Sequence, residues 1–134
     1  MKFITIVDLK AKNACSEGIR WYKEQGYETL DWDSIDELEV KTEYNSYIHW
    51  LCENFKISLK YNGNEYKFDE NNNEIYYENS TGFWVKREFD ENNNKIYLEN
   101  STGFRSTWEF DKNNEQIYFE NSYGLIIDNR EEKK

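Results

Sequence analysis

This chain is short of several things at once. It has no proline, two cysteines, one histidine, one methionine and six glycines, and its cations are well outnumbered by acids. Each shortage removes a class of protein. Cys15 and Cys52 are too few and too far apart for a disulfide framework, so the expected setting is a reducing cytoplasm. His49 stands alone, so a nucleophile–base pair would have to be Cys15 or Cys52 with His49, and neither cysteine sits in a recognisable catalytic motif. Without proline, the turns fall to Asn, Asp, Ser and Gly. No apolar run approaches the roughly 18 residues of a membrane span, and residues 1–8 do not read as a secretory signal. Seventeen Lys and Arg against 27 Asp and Glu give a formal charge of −10, which leaves no basic face for a nucleic-acid backbone or an anionic membrane. No glycine-rich phosphate loop or dinucleotide fingerprint is present. The reading expects no cofactor, no bound metal and no enzymatic activity.

What the chain does have is aromatic side chains, 18% of its 134 residues. A disordered acidic tail would be poor in them, so the expectation is one folded, strongly acidic domain. The second half is an internal repeat. Residues 68–83, beginning Phe68-Asp69-Glu70-Asn71-Asn72-Asn73, recur at 89–104 and again, more loosely, at 110–125, a period of 21 without insertion. Each unit holds two β-type runs and two turn signals. One turn is the Asp-x-Asn-Asn cluster, where Asn72, Asn93 and Asn114 stand where a left-handed residue is wanted. The other is Asn-Ser-x-Gly, ending on Gly82, Gly103 and Gly124. The unit predicts a hairpin with its tip at 71–73, 92–94 and 113–115, and residues 56–61 and 65–69 predict an opening hairpin through Asn62-Gly63-Asn64.

Period-two reading puts Ile75, Tyr77, Ile96, Leu98, Ile117 and Phe119 on one face, joined by Phe83, Val85, Phe89, Phe104, Trp108 and Phe110. The other face carries Tyr76, Tyr97 and Tyr118 with Trp84, Lys86, Arg105 and glutamates. The apolar face needs a cover. Residues 14–25 and 43–55 have helical spacing, Gly26 is a stop signal, and Ser34 with Glu37 has the spacing of a capping box for a short helix between them. The expected fold class is α+β: a small N-terminal helical layer, residues 1–55, packed on a C-terminal antiparallel β-meander built from 21-residue hairpin repeats, residues 56–134, as one compact unit.

Two resemblances follow from these residues. The 21-residue unit resembles the YD repeat of Rhs-type proteins, with Phe68, Phe89 and Phe110 in place of the tyrosine and Asn in place of the motif glycine. It is closer to tandem hairpin repeats in small proteins of phages and mobile elements. Ala14-Cys15-Ser16-Glu17-Gly18-Ile19-Arg20-Trp21, with Tyr47-Ile48-His49-Trp50-Leu51, is similar to an N-terminal helical module of phage and bacterial proteins. The resemblance implies architecture and genomic setting and carries no catalytic residue.

Asp69/Asn71/Asn73 and Asp90/Asn92/Asn94 copy the first ligand positions of a calcium loop, but Glu74 and Lys95 replace its glycine and Ser80 and Ser101 its bidentate glutamate. An Asx-rich turn accounts for them more simply. The sharper clue lies in residues 28–43, where seven acids face Lys41 alone, a local charge of −6. Asp31, Asp33, Asp36, Glu37 and Glu39 in such a run can imitate a phosphate track and enter a basic groove. Tyr76, Tyr97, Tyr118 and Trp84 form an aromatic rib that can hold a sugar, a cation or a protein. The expected function is a non-enzymatic acidic inhibitor from a phage or mobile element, an anti-defence protein of anti-CRISPR type. It would act on a basic, nucleic-acid-handling host protein, with no direct contact to nucleic acid or membrane. The alternatives are an immunity or antitoxin partner of a nuclease toxin, and a carbohydrate or cell-wall binder. Leu125-Ile126-Ile127 at the last edge predicts a strand open to pairing with a twin or a partner.

Overall fold

The structure, a computed structural model, describes residues 1–130. It combines short helices with β-strands that are mostly antiparallel, as an α+β chain should. The chain divides into two compact units, Met1–Asn62 and the residues from Gly63 onward.

In the first unit, α1 (Ile6–Ala11), α2 (Ser16–Glu24) and α3 (Asn45–Phe55) surround an aromatic-rich core. Helix α1 begins with a reciprocal cap: Thr5 accepts from the Asp8 N–H while Asp8 accepts from the Thr5 N–H. Cys15 caps α2, its Sγ accepting the Gly18 N–H at 3.3 Å. Gly26, at φ 72°, turns the chain out of α2 where an L side chain would be strained. Tyr22 and Trp32 are almost fully buried and satisfy each other's polar atoms: the Trp32 indole N–H donates to the Tyr22 hydroxyl at 3.1 Å, and that hydroxyl donates to the Ile4 carbonyl at 2.7 Å. Burial pushes the Tyr22 phenol up to about 12.

The expected capping box at Ser34 and Glu37 does not start a helix. Residues Trp32–Ser34 form a single 3-10 turn capped by Asp31, and Glu37–Leu38 is strand β1. Asp31 has taken the capping role one turn earlier, and Glu37 lies extended beside β2 (Leu59–Tyr61), paired in parallel as Glu37↔Lys60 and Leu38↔Tyr61. That pairing keeps β2 with the first unit, so the division falls at Asn62–Gly63 rather than at 55/56. Asn62 and Gly63 both have positive φ, 43° and 85°.

The second unit contains β3 (Asn64–Phe68), β4 (Glu74–Glu78), β5 (Trp84–Phe89), β6 (Lys95–Asn100), β7 (Arg105–Phe110), β8 (Gln116–Asn121) and β9 (Ile126–Asp128). Each pairs antiparallel with the next. At the tip after β3 the Asp69 carboxylate accepts the N–H groups of Asn71 and Asn73, both at 2.9 Å, and Asn72 takes φ 64°. Asp90 and Asp111 repeat the arrangement, with Asn93 at 65° and Asn114 at 63°. Beside each tip the register slips by one residue, at Lys67/Phe68, Glu88/Phe89 and Glu109/Phe110.

Two further series of bonds connect successive units, and neither was visible as a pattern of faces. The Asn73 amide donates to the Asn93 side chain at 2.9 Å, and Asn94 donates to Asn114 at 3.0 Å. At the opposite end, the Ser101 hydroxyl accepts the Trp84 N–H and Ser122 accepts the Arg105 N–H.

The registers Arg87↔Leu98, Leu98↔Ser106, Trp108↔Phe119 and Phe119↔Ile127 define one face. It is largely apolar, as expected, with polar members set among the hydrophobic ones. Ser106 is buried, Arg87 is half-buried in an ion pair with Glu74 at 2.6 Å, and Lys95, Asn100 and Asn121 pair into the same face.

The tip chemistry gives a testable contrast. Asn72 and Asn93 share a left-handed backbone, but only Asn93 also accepts an amide from the preceding tip. Asn72→Gly should leave stability within about 1 kcal/mol or raise it slightly, since glycine has no steric penalty there. Asn93→Gly should be worse than Asn72→Gly by about 0.5–1.5 kcal/mol, the net worth of a hydrogen bond. Urea denaturation of the two variants measures the difference, and equal stabilities would mean that the inter-tip bond contributes nothing.

Candidate functional site

The candidate residues fall into two groups, one in each unit. The acidic group begins with Asp31, which is spent within the fold. Its carboxylate accepts the Lys2 N–H at 2.8 Å and the Asp33 N–H at 3.1 Å, and the Lys2 bond holds its pKa below the usual carboxylate range. Lys2 is fixed in return: its carbonyl accepts the Trp32 N–H at 2.8 Å, and its ammonium reaches the Phe55 carbonyl at 2.6 Å, at the C-terminal end of α3. Glu28 is also drawn in, accepting the Ile6 N–H at the start of α1.

The remaining acids are different. Asp33, Asp36, Glu37 and Glu39 are all exposed. Asp33 lies 3.4 Å from the Met1 ammonium, across an exposed contact of little energetic weight. The backbone beneath them is anchored at three places. Asp31 is tied to Lys2, the Asp36 carbonyl accepts the Lys60 N–H at 3.0 Å, and Val40 is held through both its N–H and its carbonyl by the Asn62 side chain. Four carboxylates within seven residues are thus displayed from a pinned segment.

The aromatic rib is occupied by its own neighbours. Tyr76 donates to Glu78 at 2.7 Å, Tyr97 to Glu99 at 3.0 Å and Tyr118 to Glu120 at 2.7 Å, each bond spanning two residues along one strand. The Glu78 bond, with added desolvation, pushes the Tyr76 phenol up to about 12. The ring faces of Tyr76, Tyr118 and Trp84 are taken as well. Lys67 Nζ is 5.7 Å from the Tyr76 centroid, the Arg130 guanidinium 4.0 Å from that of Tyr118, and Lys86 Nζ 5.4 Å from that of Trp84. Arg130 is itself tied to Asp128 and Glu109. The Tyr-x-Glu spacing, repeated at 76/78, 97/99 and 118/120, was the signal in the sequence for this arrangement.

Candidate chemistry elsewhere is quiet. Cys52 is fully buried, and burial pushes its thiol up to about 12, far from nucleophilic use at neutral pH. His49 is hydrogen-bonded to Glu53 one turn on, at 2.7 Å. Among the described residues no three His, Cys, Asp or Glu side chains converge on a point that could hold a metal ion. A cavity of about 260 Å³ lies between the helices, lined by Leu9, Cys15, Gly18, Trp21, Tyr47 and Trp50 among others. No carboxylate, lysine, arginine or histidine lines it, so it offers shape without a charge to orient a substrate. No helix among the described residues is long and apolar enough to cross a membrane. No family model matches the chain, and a search of the curated proteins finds no match either.

Two outcomes test these assignments. Because Asp31 is depressed in the fold, the stability it confers is present above its unfolded pKa and disappears as pH falls through the lower folded value. Asp31→Asn should therefore lower the melting temperature at pH 7, whereas Asp36→Asn should leave it nearly unchanged, and thermal melts decide between them. For the rib, Glu78→Gln removes the negative charge that holds the Tyr76 proton. The Tyr76 phenol should then ionise at lower pH, read from its ring-carbon NMR shift across an alkaline titration. An unmoved titration would mean that the hydrogen bond is not formed in solution.

Proposed function

We propose that this chain is a non-enzymatic, acidic protein-binding module that occupies the basic groove of a nucleic-acid-handling protein. The observation that carries the reading is the run Asp33, Asp36, Glu37 and Glu39, exposed together on backbone anchored at Asp31, Asp36 and Val40. A pinned row of carboxylates presents its charge to a basic groove without first having to be ordered, so little binding energy is lost to immobilisation. The occupied hydroxyls of Tyr76 and Tyr118, and the cations over the rings of Tyr76, Tyr118 and Trp84, favour this segment over the aromatic rib as the contact.

The resemblance to repeat proteins of phages and mobile elements gives the setting. In this reading the 21-residue units are tandem hairpin repeats of YD-like type, and the protein acts in a host cytoplasm. It would disarm a basic defence effector, or pair with a nuclease toxin, by standing in for nucleic acid. The partner contributes Lys and Arg.

Capture from host lysate on immobilised protein tests the reading, with duplex DNA as competitor and with a fourfold neutralised variant, Asp33→Asn, Asp36→Asn, Glu37→Gln and Glu39→Gln. The captured proteins should be basic nucleic-acid binders that are displaced by DNA and released as salt rises. One exposed charge pair is worth only about 0–1 kcal/mol, so single substitutions should do little. The fourfold variant should lose roughly several-fold to a hundredfold in affinity, mainly through slower association. Unchanged capture by a folded fourfold variant removes the mimicry reading.

A further inference from the structure

The sequence period lets one part of the sheet serve as a template for another. Tyr118, in β8, lies opposite Glu109 on one side and Asp128 on the other. Those two carboxylates hold the Arg130 guanidinium, at 3.1 and 2.9 Å, and it rests 4.0 Å from the centre of the Tyr118 ring. A ring face flanked by two carboxylates is a receptor for a planar cation, and here the chain's own arginine fills it. One period earlier the same arrangement recurs without an occupant. Tyr97, in β6, lies opposite Glu88 on one side and Thr107 on the other, each 21 residues before Glu109 and Asp128. The Tyr97 hydroxyl donates to Glu99 as that of Tyr118 donates to Glu120, so the same bond fixes both rings. Among the described residues no cation lies over the Tyr97 ring, and the exposed Glu88 and Thr107 side chains pair with none of them. A hollow of about 240 Å³ opens beside that ring, with Arg105, Thr107, Glu120 and Ser122 in its wall. Tyr76 differs, since Lys67 and Lys86 lie opposite it and Lys67 covers its ring.

We propose that Tyr97, Glu88 and Thr107 receive the guanidinium of an arginine side chain from a partner protein. It stacks on the Tyr97 ring, donates along one edge to the Glu88 carboxylate and along another to the Thr107 hydroxyl. Glu88 and Thr107 thereby take the places that Glu109 and Asp128 hold around Arg130. The charge of the surroundings suits a cation. On this face of β5 to β8 the charged groups are Lys86, Glu88, Glu99, Arg105, Glu109 and Glu120. Lys86 is held over the Trp84 ring and Glu109 is bound by Arg130, which leaves Glu88, Glu99 and Glu120 against Arg105. That balance favours a further positive group and disfavours a phosphate or a carboxylate. Acceptors on opposite sides of one ring match the planar fork of arginine better than the single ammonium of lysine. This inference does not rest on the acidic segment, which belongs to the other unit.

N-acetylarginine methylamide, whose one charge is its guanidinium, tests the site when titrated into the full chain. The NMR shifts of the Tyr97 ring and the Thr107 amide report binding, and both should move to saturation. Thr107→Asp supplies the second carboxylate and should tighten binding at least about threefold, while Glu88→Gln should weaken it by about the same factor. Arg130→Gln vacates the Tyr118 ring and should add a second saturable site there. The corresponding blocked lysine should bind about threefold more weakly or worse. Glu88, Thr107 and Arg130 are all exposed, so these variants should keep the fold. A Tyr97 ring that shows no saturable shift overturns the proposal. So does an affinity that neither Thr107→Asp nor Glu88→Gln changes, an Arg130→Gln protein with no new site at Tyr118, or a lysine probe that binds as tightly as the arginine one.

Discussion

One carboxylate at each tip sets the rest of the second unit. Asp69, Asp90 and Asp111 each accept two backbone N–H groups from the residues that turn the chain, and the turn then places one Asn in the left-handed region. The cost of that conformation is small for Asn and large for most other residues. The consequence is register. A slip of one residue would exchange the two faces of every strand, moving Ile75 and Leu98 to the side of the glutamates. The bulge beside each tip recurs at the same place in each unit, so the alternation restarts in phase every 21 residues. The same backbone bonds, chiefly those to Asn73 and Asn94, hold the Asp69 and Asp90 carboxyls below the usual range.

Once register is set, the wet face becomes a network of short-range pairs. Tyrosine donates to glutamate two residues along, lysine or arginine covers an aromatic ring, and the strands carry these pairs side by side. In the first unit the acidic stretch is sorted in a similar way. Glu28 and Asp31 are used to start α1 and to hold Lys2, whereas Asp33, Asp36, Glu37 and Glu39 are left facing solvent. A run of acids that looks uniform in composition therefore divides into structural and displayed members. The division follows which carboxylates can reach an unpaired backbone N–H.

Much of this was legible from residue type and spacing. The left-handed asparagines, the glycine turns, the two faces and the helices near 14–25 and 43–55 all follow from local rules that need no distant partner. The parts that could not be read are those in which a distant backbone decides. Ser34 and Glu37 have a helix-start spacing, yet Asp31 caps the turn first because Lys2, 29 residues away, presents its N–H there. Arg87 stands among apolar residues because Glu74 meets it from the neighbouring strand, a partner 13 positions away that residue type alone does not reveal. Helix α1 was signalled by Thr5 and Asp8, a short motif that its own six-residue length made easy to pass over. Among the candidate site residues, Asp31 was legible as an acid and illegible as a cap. The tyrosines were legible as a row, and the occupation of their hydroxyls was not.

The asparagine bonds between tips have a consequence for length. Each donor, Asn73 or Asn94, reaches an acceptor in the following unit, and in the third unit Glu115 stands where the next donor would be, so the series stops there. Every joint is the same joint. Excising 21 residues from the middle would bring Asn73 to the partner that Asn94 now has, and inserting 21 would create one more joint of the same kind. Each such change moves the free edge by two strands, about 9.6 Å, without altering the chemistry of either end. The position of the second unit's free edge is thus set by the number of such joints before it, two among the described residues.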